Sequence, residues 1–374
     1  MCSQCHQEIY RTWRASHHAS AFTDPAFRLP YDRIRRQNPD RALSCEYCHN
    51  PMRFFLPPKD PRAGIFAQEG VTCDFCHSVE SVIRTAGFPR YRLTPGIKFG
   101  PYPSSGKPGK GPHETRFSQL HLTSEFCAGC HEYRNEYGTP ILTTYSEWEE
   151  SFYRGEGVHC QFCHLPELFD ARFIDPVRNK GPINHEMVGG HSRERLAKAI
   201  PLRATLTVRG KETRVAIQLK NETVGHKAPS GIPMHRIRLE TTIYDWDGNV
   251  LGRKEEMFER LLGDGAGNPL REPERIFTEA KEVLKDNRIG PKETRDIVHS
   301  FAPAGKTPKT AEVSLFYEIL TPDIAPGLRS IDIPISRLVV PVEEGMSLRS
   351  AWILVLAAAF LVLAAGILLR RRLS

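Results

Sequence analysis

The sequence predicts a chain in three parts: a mainly α-helical and irregular domain over residues 1–198, an all-β domain of immunoglobulin-like sandwich type over 199–345, and one C-terminal transmembrane helix over 349–370, followed by a tail at 371–374. Three observations predict it. All 10 cysteines lie in the first part, in pairs two residues apart that are each followed by histidine. Alternating apolar and polar runs with turn signals take over after Pro201. An uncharged apolar run of 19 residues, Ala351 to Leu369, stands near the end.

The cysteine pairs are Cys2/Cys5, Cys45/Cys48, Cys73/Cys76, Cys127/Cys130 and Cys160/Cys163, and the histidines that follow them are His6, His49, His77, His131 and His164. Two thiols separated by two residues on a helical turn reach the two vinyl groups on one edge of a porphyrin, and the adjacent histidine falls beneath the iron as its proximal ligand. Disulfides, a redox dithiol or zinc ribbons also use paired cysteines, but none of them requires histidine after the second cysteine in all five pairs. The motifs therefore predict five covalently bound haem c groups. The rest of this part lacks long apolar periodicity and is broken by Pro and Gly, as from Pro95-Gly96 to Gly111-Pro112. Its expected core is the haems themselves, with short helices and loops wrapped round them. Only the ligand motif recurs, so no solenoid is expected.

In the second part the runs Ala204–Arg209, Arg214–Lys220, Arg236–Tyr244 and Ala311–Tyr317 alternate with period two, and Asp247-Gly248-Asn249 reads as a hairpin turn. About seven short strands are expected, hence a two-sheet sandwich. The charged stretch from Arg253 to Asn287 reads as a long surface excursion.

At about 1.5 Å per residue the apolar run spans roughly the 30 Å of a bilayer core. It has no polar face and ends in Arg370-Arg371-Arg372, which puts the C-terminus in the cytoplasm and the haem and β domains on the periplasmic or extracellular side. Covalent haem attachment outside the cytoplasm agrees with this orientation. A motif that begins at Cys2 leaves no room for an export signal, so the expectation is that one lies upstream of Met1. The net charge of +7 is spread over many Arg and Lys without a basic block interleaved with aromatics, which argues against a nucleic-acid partner.

Each iron has a sixth position, where a second histidine gives a low-spin electron-transfer centre and an open site permits small-molecule chemistry. Of 15 histidines, 10 remain as candidates after the five proximal ones. Several motifs stand beside them: Tyr10-x-x-Trp13-x-x-Ser16-x-His18-Ala19, Gly70-Val71-Thr72 before Cys73, Ser124-Glu125-Phe126 before Cys127 with His113 upstream, Thr144-Tyr145-x-Glu147-Trp148-x-x-Ser151 before Gly157-Val158-His159, His185-x-x-x-Gly189-Gly190, and Gly225-His226-Lys227-Ala228-Pro229-Ser230-Gly231. Together they resemble the multihaem cytochrome c family that includes the tetrahaem cytochrome of ammonia oxidisers and is related to hydroxylamine oxidoreductase. The resemblance covers nearly all of residues 1–320. It implies His18, His113, His185 and His226 as distal ligands. His191 and His121 compete for the fifth place, with His17, His159, His235 and His299 behind them. Leu165 stands where such proteins often carry Met, and no Cys-x-x-Cys-Lys is present, which counts against a pentahaem nitrite reductase.

The function expected from these features is electron transfer by a membrane-anchored pentahaem cytochrome, between a quinol-oxidising complex or another cytochrome and a periplasmic or extracellular acceptor. The alternative is an oxidoreductase acting on a small nitrogen or sulfur compound (nitrite, hydroxylamine or sulfite) at one open-site haem.

Overall fold

The computed structural model describes residues 2–342 apart from 58–59, 65, 67, 86–88, 103–111, 167–182, 304 and 322–329. The apolar run 351–369 lies outside the described residues, and among those described no helix is long and apolar enough to cross a membrane.

Among the described residues the first part is built from short helices, connecting loops and three two-stranded sheets. Each cysteine motif sits on a helical turn: Cys2–Gln4, Pro39–His49, Cys73–Ser78, Glu125–His131 and Cys160–His164. Local sequence starts these turns. Asn38 accepts from Arg41 N and Pro39 occupies the first helical position, while Thr72 Oγ1 accepts from Phe75 N at 3.1 Å. Buried apolar residues form several small clusters, such as Tyr47, Val71, Phe75, Val79 and Tyr91, or Phe22, Tyr31, Ile34 and Ala42. Tyr31, Ile34, Tyr47, Val71, Phe75 and Tyr91 among them line the space between the motifs, and among the described residues these clusters stay separate.

The β-rich second part expected from the alternating runs is present. Its strands are β1 (Leu202–Arg209), β2 (Glu212–Lys220), β3 (Arg236–Tyr244), β4 (Val250–Phe258), β5 (Arg260–Gly263), β6 (Pro269–Leu270), β7 (Glu282–Asp286), β8 (Thr294–Phe301), β9 (Thr310–Leu320) and β10 (Ile331–Pro341). One antiparallel sheet has the order β4-β3-β9-β10 and another β8-β2-β1. Inward residues of both sheets join one cluster: Leu206, Val215, Ile217 and Leu219 meet Ile237, Leu239, Ile243, Val313 and Leu315. Each such side chain contributes about 1.5–3 kcal/mol of burial. The Asp247-Gly248-Asn249 turn joins β3 to β4. Asp245 Oδ1 accepts from Asp247 N and Asn249 N, and Gly248 takes the left-handed conformation (φ 84°) that the turn requires.

The stretch 253–287 is not the surface excursion expected from its charge. It forms most of β4, then β5, β6, a helix Pro273–Glu279 and β7, with β6-β5-β7 as a third sheet. Leu262, Leu270, Ile276 and Ala280 pack with Met234 and Leu320 and with Ile141 of the first part. Asn135 Nδ2 donates to Ala280 O at 2.7 Å, and Arg33 pairs with Glu274 at 2.8 Å. The apolar residues are too irregularly spaced for one periodicity because the surface they cover belongs to the other part of the chain.

Candidate functional site

The five motifs converge. The thiols of Cys48 and Cys130, of Cys127 and Cys160, and of Cys73 and Cys2 lie close enough together to perturb one another's ionisation. In space the motifs therefore run first, third, fourth, fifth, with the charge of Cys130 reaching Cys76 between the third and fourth and the second motif attached at the fourth. A single cavity of about 2490 Å³ is lined by the cysteines and histidines of the first four motifs and by Gln161 and Phe162 of the fifth. An ordinary small-molecule site occupies about 300–1,000 Å³, so the space suits several large ligands. Trp13, Tyr31, Phe75, Tyr91 and Phe126 supply apolar wall. Burial pushes the Cys45 thiol up to about 11 and that of Cys76 up to about 12.

The proximal histidines are prepared as metal ligands. A ligating histidine commonly gives its other ring nitrogen to a backbone carbonyl, which fixes ring orientation and raises basicity. Nδ1 of His49 lies 2.9 Å from Ala21 O, that of His77 2.7 Å from Phe99 O and that of His164 3.0 Å from Val188 O. Burial lowers the pKa of all three, keeping them neutral and able to bind metal.

The distal candidates face them at a distinctive separation. Metal–imidazole bonds of about 2.0–2.1 Å, as at zinc, together with the ring's own radius put the centroids of two trans imidazoles about 6 Å apart. His6 and His113 are 6.3 Å apart, His131 and His18 6.1 Å, and His77 and His185 6.3 Å. His226 lies close enough to His164 that its charge is, after burial, the largest influence lowering the His164 pKa to about 4. His185 and His226 also show the carbonyl bond at Nδ1, to Ile183 O and to Lys227 O, each 2.9 Å. His18 is held by a chain crossing: Val71 N donates to His18 O at 2.8 Å and Trp13 Nε1 to Val71 O at 2.9 Å. Gly70 is needed there, because a Cβ would stand 2.1 Å from His18 O.

The remaining candidates differ in setting. His121 is 5.7 Å from His77 but spends Nε2 on Cys76 O at 3.2 Å, and its buried Nδ1 has no partner. His191 is exposed and stacks on His17 at 3.6 Å. His159 Nδ1 accepts from Ser124 N at 3.1 Å and so ties the fifth motif to the start of the fourth. His299 is buried in the β core with Nδ1 2.9 Å from Thr241 Oγ1, away from the cavity. His235 lines the cavity with Nδ1 3.1 Å from Ser230 O, and burial lowers its pKa to about 4. It has the ligand-type setting that sequence reasoning ranked behind His191. The signal that could have raised it is its position four residues after Gly231, in the same turn-rich segment as His226. His49 stacks on Phe27 at 3.8 Å, and among the described residues no histidine ring is in contact with it.

The residues fit haem c. Paired thiols stand on helical turns, each next to a histidine, around an apolar space with imidazoles facing one another about 6 Å apart, a separation that would suit two ligands of one iron.

Comparison with known proteins points the same way. The family model of cytochrome c554 and c-prime matches residues 1–78, which hold the first three motifs. The crystal structure of a penta-heme cytochrome c552 from Thermochromatium tepidum is similar to this chain at a TM-score of 0.72 and 24% identity, covering 91% of this chain and 97% of that one. At that identity the likeness establishes the fold. A putative beta-galactosidase from Bacteroides fragilis, 15% identical, aligns over 37% of this chain and 15% of its own at a TM-score of 0.19, too low to carry an argument. No curated protein matches the chain.

Proposed function

We propose, from the premise that the chain is a multihaem c-type cytochrome, that it is a membrane-anchored pentahaem electron carrier. The observation that supports this is the closeness of the motifs: thiols of the first and third, second and fourth, and fourth and fifth motifs lie near one another around one apolar cavity, so haems attached there would be neighbours. Haem c, when bound, supplies one-electron redox chemistry at potentials set by axial ligand, burial and nearby charge. The chain's own residues do the rest. Ten cysteines hold the porphyrin edges, and His6, His49, His77, His131 and His164 serve as proximal ligands. His113, His185, His18 and His226 would hold the irons from the side opposite His6, His77, His131 and His164. The aromatic walls keep water from the irons.

The apolar run 351–369 with its basic end anchors the chain, and the β part, read as an immunoglobulin-like sandwich, stands between anchor and haems. The donor is a quinol-oxidising complex or another cytochrome, and the acceptor is periplasmic or extracellular. The test is a redox titration of the full-chain holo-protein together with stopped-flow reduction by a quinol analogue and by a reduced cytochrome. Full reduction of five haems by one of these donors is expected. A protein that neither donor reduces would sink the proposal.

A second reading has one observation in its favour. His49 faces Phe27 and no histidine, while Asp24 lies within charge reach of both His49 and His191. An open sixth position at the second motif would permit chemistry on nitrite, hydroxylamine or sulfite. A high-spin signal that changes on addition of one of these compounds is the result this reading requires.

A further inference from the structure

Two motifs singled out in the sequence meet in the fold. Glu147 lies in the helix Thr144–Glu149 of the first part and is buried. Its carboxylate receives three hydrogen bonds and one ion pair. Oε1 accepts from Thr143 Oγ1 at 2.6 Å and pairs with Arg288 Nη1 at 2.8 Å, and Oε2 accepts from Lys227 N at 3.1 Å and Ser230 Oγ at 3.0 Å. Lys227 and Ser230 lie 80 and 83 residues further along the chain. Arg288, also buried, donates Nε and Nη2 to Asp286 at 2.8 and 2.9 Å and Nη1 to Pro229 O at 3.3 Å. Lys227 Nζ reaches Asp286 at 2.9 Å. Ala228 and Ile289 exchange both backbone hydrogen bonds at 2.9 Å.

The gripped residues also carry the carbonyls that meet imidazoles. Lys227 supplies the carbonyl that takes His226 Nδ1, and Ser230 the one that takes His235 Nδ1. Among the described residues Nε2 of both rings has no hydrogen-bond partner. A buried ion pair is a poor source of net stability, since desolvation offsets most of the attraction. A carboxylate with all its acceptor directions filled does, however, fix the two chain segments that it joins.

We propose that Glu147 and Arg288 are a positioning pair that aims His226 toward His164 as an axial ligand delivered by the β part, while the same grip on Ser230 sets His235 at the wall of the haem cavity. This rests on the haem reading above and goes beyond it, because it makes the junction between the two parts a condition of iron ligation. Glu147→Gln is the sharpest perturbation. The amide turns a donor toward two of the four incoming donors while keeping the side-chain volume.

The test uses the full chain, matured behind an export signal in a host that attaches haem c. Wild type, Glu147→Gln, Arg288→Met and His226→Ala are compared by pyridine haemochrome count and electron paramagnetic resonance. Five haems are expected in each. His226→Ala turns one haem in five high-spin, Glu147→Gln and Arg288→Met reproduce that signal, and added imidazole returns it to low-spin. A wild-type count below five overturns the haem reading itself and is separate from the spin-state result. Five low-spin haems in Glu147→Gln beside a high-spin centre in His226→Ala overturns the positioning role. A wholly low-spin His226→Ala removes the ligand and the proposal with it. If Glu147→Gln gives no holo-protein, Ser230→Ala and Thr143→Val each remove one of the three hydrogen bonds. Both are expected to show a partial high-spin signal that grows on warming, and wild-type spectra from both count against the proposal.

Discussion

His77 has two imidazoles within reach, and removing each in turn separates ligand from neighbour. His185 stands 6.3 Å away with Nδ1 bound to Ile183 O, while its backbone N–H donates to Thr12 Oγ1 at 3.0 Å. His121 stands at 5.7 Å with Nε2 engaged by Cys76 O. His185→Ala therefore removes the sixth ligand of one haem in five, converting about a fifth of the low-spin intensity to high-spin. His121→Ala removes one neutral hydrogen bond, worth about 0.5–1.5 kcal/mol. It also removes a buried Nδ1 that has no partner. The two effects oppose each other, so stability shifts by less than about 1 kcal/mol and the spin state is unchanged. Electron paramagnetic resonance of the oxidised holo-proteins, with urea unfolding of each, reads both quantities. A high-spin centre in His121→Ala together with a low-spin His185→Ala would refute the assignment and the ring-separation reasoning behind it.

Three further outcomes follow from the packing. Gly70→Ala forces a Cβ to 2.1 Å from His18 O and 2.8 Å from Ala21 N, both backbone atoms, so the crossing that holds His18 must open; the fourth-motif haem is expected to gain high-spin character, visible in the same spectra. Leu239→Ala in the β core, at a site buried from both sheets, should cost about 2–5 kcal/mol in urea unfolding and leave the haem count unchanged. His299 has its pKa lowered from 6.5, by burial first and then by Lys254, with Glu256 opposing. The folded state thus binds that proton less readily than the unfolded one. Its contribution to stability is full above pH 6.5 and is lost as pH falls below it, and His299→Gln should flatten that part of the stability profile relative to wild type.

The proximal half of the site is legible because its chemistry is local. Thioether attachment needs two thiols and a histidine within five residues, so Cys45, Cys48 and His49 declare themselves without the fold. The distal half is not local. His113 meets His6 and His226 approaches His164 only after loops of unrelated length close, and no periodicity records that approach. The strands β2 and β3 were readable from period-two alternation, since each presents one face to the shared core. The stretch 253–287 was not, because Leu262, Ile276 and Ala280 answer to Ile141 across the junction and to no pattern of their own. Glu147 is the clearest case of what sequence withholds. The motif that holds it is visible in the sequence, but its role is not until Lys227, Ser230 and Arg288 are seen to converge on it.

The central claim is that all five motifs carry haem and that four of them are closed by a second histidine. The most direct measurement is the haem count per chain, by pyridine haemochrome and intact mass, joined to the spin-state distribution of the oxidised protein. Five haems with at least four low-spin bis-histidine centres is the predicted result. Fewer than five haems, or two or more high-spin centres, would contradict the account.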